Sequence, residues 1–572
     1  MRILRWILAS LLLLAITVIV FFLLRKKEEI PPVRIIDAGH KGMQTGFFYE
    51  EMEGGRSKYR VTAGKYWEGK DKRIWLQDGV KIKILSGKPI EITASEGTVW
   101  KKEKIYELRG NVEAKGEELD FYAPVLVYTP KRKTISAPDF ASWEIPQLLG
   151  TGRGVSYHAR RKKVVIEKGG RIVLKGENSS IRADRLIYSA IQGKGRAQGN
   201  VLISYMEDLI KADFVQFLTS DGKILQLTGE GNCSARIGEK TRLTSDRLTV
   251  YFGKKMSFRA EGNVLLVRND QKIRADRVEG REDSLIAEGD VVASLEEKKV
   301  KARSLKLEGE KALFRGNVII KGKDFSALAE EVEVKDGRVM LKKGSIERED
   351  IVLRAERLEK SENTLQAEGR VKGRFVKRGF LSSSNQEELI FVCEKLKKEG
   401  DKTYLEGNVL IIQGEDLLSG GKVFMEETQK VTQVWKCNLK ISREKEKFLV
   451  KTDFCELKNE PEEIFFKSAV EITASDFRLK SSEAKIVFTK GKPDKLEASS
   501  CKEVIFGENK GVCEDFRYDF SNKTALLKGK ASFTGKKGTT SGEMLRYFVE
   551  KKKLEIITEG GRTSSTYRRK GA

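Results

Sequence analysis

Histidine is almost missing from this chain: only His40 and His158 occur in 572 residues. That scarcity argues against a histidine-built metal centre or a Ser-His-Asp triad. Several chemistry-bearing patterns are missing too. There is no GxxxxGK[ST] to cradle nucleotide phosphates, no GxSxG elbow, no HExxH and no CxxC. Proline is scarce, nine in all, and none falls between Pro146 and Pro461. Disordered chains are commonly rich in proline, and a long proline-free run suits a hydrogen-bonded ladder. The 52 glycines follow no strict triplet, which excludes a collagen-like helix. Apolar residues make up 39%, which suits a thin structure with much wetted surface better than one large core. No enzyme is read here: no catalytic residue, no cofactor and no metal ligand is expected.

What is present begins with an apolar run. Residues 7–24 carry no charge and are flanked by Arg2 and Arg5 on one side and Arg25, Lys26 and Lys27 on the other. Eighteen residues of helix span about 27 Å, close to a hydrocarbon core of about 30 Å. A cleaved signal peptide would have a shorter apolar stretch and a small-x-small site, which RKKEEIPP does not offer. The expectation is an uncleaved, single-pass transmembrane helix, with Pro31 and Pro32 as a stiff spacer. Positive charge on both flanks leaves its orientation open.

From residue 33 onward the chain reads as β-strands. VKIKIL (80–85), IEITAS (90–95) and KFLVKTDF (447–454) are β-branched or alternating, and the turns between such segments are short and rich in Gly, Lys, Asp and Asn. Two motifs repeat. One is GNV followed by alternating apolar residues, at 110–114, 199–203, 262–266, 316–320 and 407–411, with GDVVA at 289–293. GNCSA (231–235) and GRVKG (369–373) are degenerate copies. The other is I-x-A-D-x-L-x-Y, as in IRADRLIY (181–188), IKADFVQF (210–217) and IRADRVEG (273–280). Gly199, Gly231, Gly262, Gly289 and Gly316 are 32, 31, 27 and 27 residues apart. A period near 30 means a stacked array of repeats. Gly-Asn before the valine suits a turn or a bulge with positive φ.

Alternation assigns an inner face. Ile181 and Ala183 point one way while Arg182 and Asp184 point the other. The same logic selects Ile92, Ala94, Val112, Phe121, Ala123, Val201, Ile203, Ile210, Ala212, Val264, Leu266, Ile273, Ala275, Val318, Ile320, Val409 and Ile411. Such a face fits a closed, dry β core, or a groove for an apolar ligand. Alanine recurring at one position favours space inside. The net charge of +25 also has two readings: basic rims for an acidic headgroup, or solvated turns such as Arg160 to Lys163. Nucleic acid is set aside because no aromatic-basic interleaving accompanies the charge. The six cysteines allow fifteen pairings. Cys437 and Cys455 flank a hairpin near residue 445, and matching its apolar faces sets Cys437 opposite Phe454. Buried free thiols are the default.

These residues resemble the lipopolysaccharide-export bridge proteins of the LptC and LptA/OstA class. ITASEGTVW (92–100), the run from 105 to 138 beginning IYELRGNVEAKG, and GTGRGVSYHARRKKVVIEKGGRIVLKG (150–176) are similar to LptC, and 177–425 is similar to tandem OstA repeats. EITAS at 91–95 recurs at 471–475, which suggests another β-jellyroll copy. The resemblance implies an all-β chain: an N-terminal transmembrane helix, then an elongated β-jellyroll or β-solenoid of OstA-like repeats with an open hydrophobic groove. The expected division is 1–32 anchor and spacer, 33–176 LptC-like jellyroll, 177–425 OstA/LptA-like array and 426–572 C-terminal jellyroll-like region. The residues above would line the groove and bind lipopolysaccharide acyl chains. Implied partners are an inner-membrane ABC transporter and an outer-membrane translocon or periplasmic bridge protein, joined by edge-strand addition. The implied location is the inner membrane, with the bulk of the chain in the periplasm. The rival expectations are a carrier of another lipid or glycolipid and a structural spacer of the envelope.

Overall fold

The computed structural model describes residues 42–238, 240–269, 271–281, 283–295, 297–375, 388–443, 446–536 and 538–557, and the backbone of 564–567. The expected anchor and spacer and His40 lie outside the described residues. Among the described residues no helix is long and apolar enough to cross a membrane. Apart from one 3-10 turn at Ala159–Arg161, every regular element among them is a β-strand. The chain divides into two units. The first is Met1–Ile172 with Arg185–Gln192, and the second is Val173–Asp184 with Gly193–Ala572.

Within each unit, successive strands pair antiparallel with their sequence neighbours. Lys194–Tyr205 pairs with Asp208–Ser220, which pairs with Lys223–Ile237, and that with Thr241–Tyr251. One sequence repeat is therefore two strands. Most strands are 10 to 13 residues long, yet few alternate without a break. In Asp208–Ser220, Ile210 and Ala212 are buried, two residues intervene, and burial resumes at Val215 and Phe217. The register shows why. Gln198 pairs with Phe214 and Val201 with Ala212, so Gly199 and Asn200 together face the single residue Asp213. This is a β-bulge, and it bends the strand.

The bend needs positive φ at two successive residues, +75° at Gly199 and +46° at Asn200. Glycine enters that region freely, and asparagine more readily than most side chains. Gly-Asn is thus a bulge in mid-strand, not a turn. The degenerate copies keep it: Gly231 with Asn232, and Gly369 with Arg370, also have positive φ. Prolines found within strands obey the same geometry. Pro124 and Pro138 sit where the register shifts, between Tyr122 and Val127 and between Ala137 and Phe140, where a missing N–H breaks no regular ladder.

Bent strands in register make two walls joined along a corner. In the first unit, Tyr59 lies on one wall and Tyr106 and Tyr128 on the other. Their ring centroids are 5.8 and 6.3 Å from Tyr59. In the second unit, Phe533 and Tyr547 meet across the walls at 4.7 Å. The apolar face is thereby buried against itself, which a single two-stranded repeat could not achieve.

One expectation is corrected. Cys437 pairs with Thr452, and Phe454 with Trp435, because Arg443 pairs with Glu446 and so sets the register two residues from the expected one. Near the C-terminus, Ser564–Tyr567 pairs with Gly538–Ser541. His158 is the half-buried last residue of a strand, its Nδ1 3.0 Å from the Thr134 hydroxyl.

Candidate functional site: a two-walled apolar interior

The two sequence motifs turn out to be the two sides of one corner. In four copies the asparagine after the corner glycine donates its side-chain N–H to the acid of the neighbouring strand's motif. Asn200 reaches Asp184 at 2.8 Å, Asn232 reaches Asp213 at 2.8 Å, and Asn263 reaches Asp246 at 2.9 Å. Asn408 donates to Glu394 at 2.7 Å, so a glutamate serves equally. The glycine makes room for that acid: a Cβ on Gly199 would stand 2.5 Å from Asp184 Oδ2. These contacts tie adjacent strands together on the outside of each bend.

The inner face lies behind the corner. Every residue assigned to it by alternation is buried, none above 7% exposure, whereas Arg182 and Lys211 are exposed. Within each unit the assigned residues fall on a single wall. Ile203 pairs with Ile210 and Val201 with Ala212, Ile181 with Ile203, Leu266 with Ile273 and Val264 with Ala275. Further along the chain, Val318 and Ile320 pair with Ala329 and Ala327, and Ile411 with Leu418. In the first unit Ile92 pairs with Ala114, Val112 with Ala123 and Ala114 with Phe121.

The second wall was missed. Val215, Phe217, Leu227, Leu248, Val250, Ala260 and Val278 are buried on it. The signal was in the motif itself: the L and Y of I-x-A-D-x-L-x-Y resume the alternation one residue out of phase. The recurring alanine is also explained differently. Ala212 sits at the inside of the bend, 3.2 Å from where a Cβ on Gly229 would lie. Its small size is required by the corner rather than by a guest.

Opposite the corner, the free rims of the walls are joined mainly by side chains, with a backbone bond from Gly176 N–H to the Gly222 carbonyl at 3.2 Å in the second unit. In the first unit Lys104 reaches Glu51 at 2.7 Å, and the Tyr106 hydroxyl donates to that of Tyr59 at 3.3 Å. Burial pushes the Tyr106 hydroxyl up to about 12. In the second unit Lys360 reaches Asp324 at 3.3 Å and stands over the Phe325 ring at 4.8 Å. Lys398 reaches Asp350 at 3.4 Å, Tyr518 donates to Asp476 at 2.9 Å, and the Asn509 amide donates to the Tyr547 hydroxyl at 3.2 Å. The interior so enclosed is apolar, two-sided and clasped along one edge.

The cysteines are buried free thiols, and four of them form two neighbouring pairs. The sulfurs of Cys437 and Cys455 are 2.8 Å apart, and Cys501 is directly opposite Cys513. A hydrogen bond from Cys513 lowers the Cys501 thiol, while burial pushes Cys233 up to about 11 and Cys393 to about 12.

Comparison with known proteins links this chain to lipopolysaccharide-transport families. A family model described as lipopolysaccharide-assembly, LptC-related, matches residues 11–174. Another, described as LptA/(LptD N-terminal domain) LPS transport protein, matches 242–365 and 394–553. The chain carries an LptC-like module followed by LptA-like repeats. Among solved structures, the crystal structure of LptH, the LptA homologous periplasmic component of the conserved lipopolysaccharide transport device from Pseudomonas aeruginosa, is similar at 11% identity, covering 25% of this chain and 94% of that one, with a TM-score of 0.16. No curated protein matches the chain.

Proposed function

We propose that this protein is an inner-membrane-anchored periplasmic bridge for lipopolysaccharide. It takes the acyl chains between its two walls and passes them from an inner-membrane ABC transporter toward the outer membrane. Residues 1–32 are the anchor and spacer, 33–176 the receiving jellyroll, and 177–425 and 426–572 the onward track. Strand edges at the ends of the array pair with the transporter's and translocon's own jellyrolls. ATP hydrolysis by the transporter supplies the energy. The observation that carries the reading is the interior: two apolar walls whose free rims are held mainly by side-chain clasps. Such rims part without breaking a strand ladder, so a guest enters sideways.

One observation favours the rival spacer reading. The inner face is sealed in this conformation, and Tyr188, Phe314, Phe375 and Phe391 are fully buried. The two readings separate by photocrosslinking in cells, with the probe at Ile181, Ala212 and Ile273 on one wall and at Val215, Leu248 and Val278 on the other. Arg182 and Lys211 serve as outward controls. Lipopolysaccharide adducts at inward positions of both walls are expected. Adducts nowhere, with the protein folded and anchored, would leave the spacer reading standing.

A further inference from the structure

The basic run Arg160 to Lys163 reads in the sequence as an ordinary solvated turn. The structure of the first unit sets it across the rim from two other turns. Lys88 comes from the turn between Arg73–Ile84 and Ile90–Trp100, and Glu118 from the turn before Leu119–Thr129. Lys133, Arg160 and Lys162 come from the opposite rim. Together they line a cavity of about 270 Å³ whose apolar floor includes Leu119 and Tyr157. The opposite-rim turns are held by backbone bonds: Ala159 N–H donates to the Lys133 carbonyl at 3.0 Å, and Ala190 N–H to that of Lys162 at 2.9 Å. Lys133 and Lys162 both have positive φ, +47° and +42°. The cations are therefore placed by the fold and are not merely clustered in sequence.

The cavity already holds one anionic group, the carboxylate of Glu118. It lies 2.7 Å from Lys162 and 2.9 Å from Lys88, with Glu117 a second acid 3.3 Å from Lys88. These lysines hold the Glu118 carboxyl below its ordinary value, Lys162 most strongly. Two carboxylate oxygens cannot satisfy every donor offered by three ammonium groups and a guanidinium. A phosphate monoester, with three oxygens and nearly two charges, satisfies more of them, and Arg160 can grip it with two parallel bonds. Leu119 is the first residue of its strand and Tyr157 the last but one of its own, and both are buried, so an anion here would sit at the entrance to the apolar interior.

We infer that this cavity is a binding site for the phosphate monoester head of an amphiphile whose chains lie between the walls. The inference rests on the transport reading above and adds a place for the head. Glu118 is the occupant that the phosphate displaces, and it keeps the lysines paired when no guest is present.

The test is calorimetric titration of the full chain in amphipol. The probes are dihexanoyl phosphatidic acid below its micelle concentration, inorganic phosphate, and dihexanoyl phosphatidylcholine. Phosphatidic acid should bind. The double variant Lys88→Gln, Lys162→Gln should weaken it by about tenfold or more. Glu118→Gln, which removes the competing anion, should tighten it, and Lys211→Gln should change nothing. Equal affinity in the wild type and the double variant overturns the site. Inorganic phosphate binding as tightly as phosphatidic acid overturns the amphiphile in favour of free phosphate, and phosphatidylcholine binding as tightly overturns recognition of the head. Should the double variant fail to fold, Glu118→Gln alone decides, because removal of one half-exposed charge leaves the sheet intact. Inner-face adducts in cells without phosphatidic acid binding would remove this inference and leave transport standing. Binding without adducts would do the reverse.

Discussion

A single glycine decides whether a strand of this protein can bend. At Gly199 an alanine would have to hold φ near +75° while its Cβ stood 2.5 Å from the Asp184 carboxylate. The left-handed backbone alone costs an L-residue about 1–2 kcal/mol, and moving the aspartate adds to it. Gly199→Ala is expected to lose about 1–3 kcal/mol locally. Asn200→Ala should lose less, about 1–2 kcal/mol, through the bond to Asp184 and asparagine's tolerance of positive φ. Hydrogen exchange is the right measurement, because a repeat array need not unfold as one unit. Amides of Lys194–Tyr205 and Asp208–Ser220 should exchange faster in both variants, and those beyond Ile351 should not change. Uniform exchange, or a larger effect for Asn200→Ala, would refute the account of the corner.

At the scale of the strand, the clasps across the rim make stability depend on pH. Glu51 in the strand Gln44–Glu53 accepts from Lys104 across the rim and from Tyr49 beside it, and Lys104 contributes most to lowering its carboxyl below the ordinary 4.5. A carboxyl lowered on folding stabilises the fold fully above its unfolded value. That stabilisation fades as pH falls below 4.5 and is gone once the folded value is passed. Near-ultraviolet circular dichroism of the Tyr59, Tyr106 and Tyr128 cluster should therefore weaken on acidification from about pH 6 to about pH 3.5. Glu51→Gln should remove part of that change, and an unchanged titration would show that this clasp does not hold the rim. The strand is also the scale at which sequence and structure part company. Alternation placed Ile181, Ala212 and Ile273 on the inner face, because period two is a local property. It could not place Val215 or Val278, because the bulge shifts the phase, and a bulge is a property of the pairing between two strands rather than of one strand's alternation. The rim clasps were illegible for the same reason: Lys104 and Glu51 are linked by the folding of a sheet onto itself, and no pattern joins them in the chain. The corner motif was visible, but as two unrelated halves, since the bond from Asn263 to Asp246 crosses between strands.

For the whole molecule, the repeat is the unit of construction. Phe258 and Leu285 each occupy the second position of their strands, Val264 and Val291 the position just past the corner, and Gly262 and Gly289 the corner itself. These pairs are all 27 residues apart. Deleting residues 257–283 therefore brings the strand Ser284–Leu295 to the place of Ser257–Arg268, beside Thr241–Tyr251. Leu243, which pairs with Leu266, would then meet Ala293, and Leu248, which pairs with Ala260, would meet Ala287. Direction, face and corner are all kept. Asp246 loses the amide of Asn263 and gains Asp290 as a neighbour, the same juxtaposition that Asp276 and Asp290 already make at their own corner. This excision should yield a folded protein with an unchanged strand signature in far-ultraviolet circular dichroism. Deleting only 257–269 removes one strand and demands that the next run in the opposite direction. It reverses the direction of every following strand relative to those before the cut, and at the junction it places charged residues such as Arg274 against the interior, so that variant should aggregate. If both deletions fold alike, the two-strand repeat is not the unit of the array. If neither folds, the walls depend on contacts between repeats that are not neighbours.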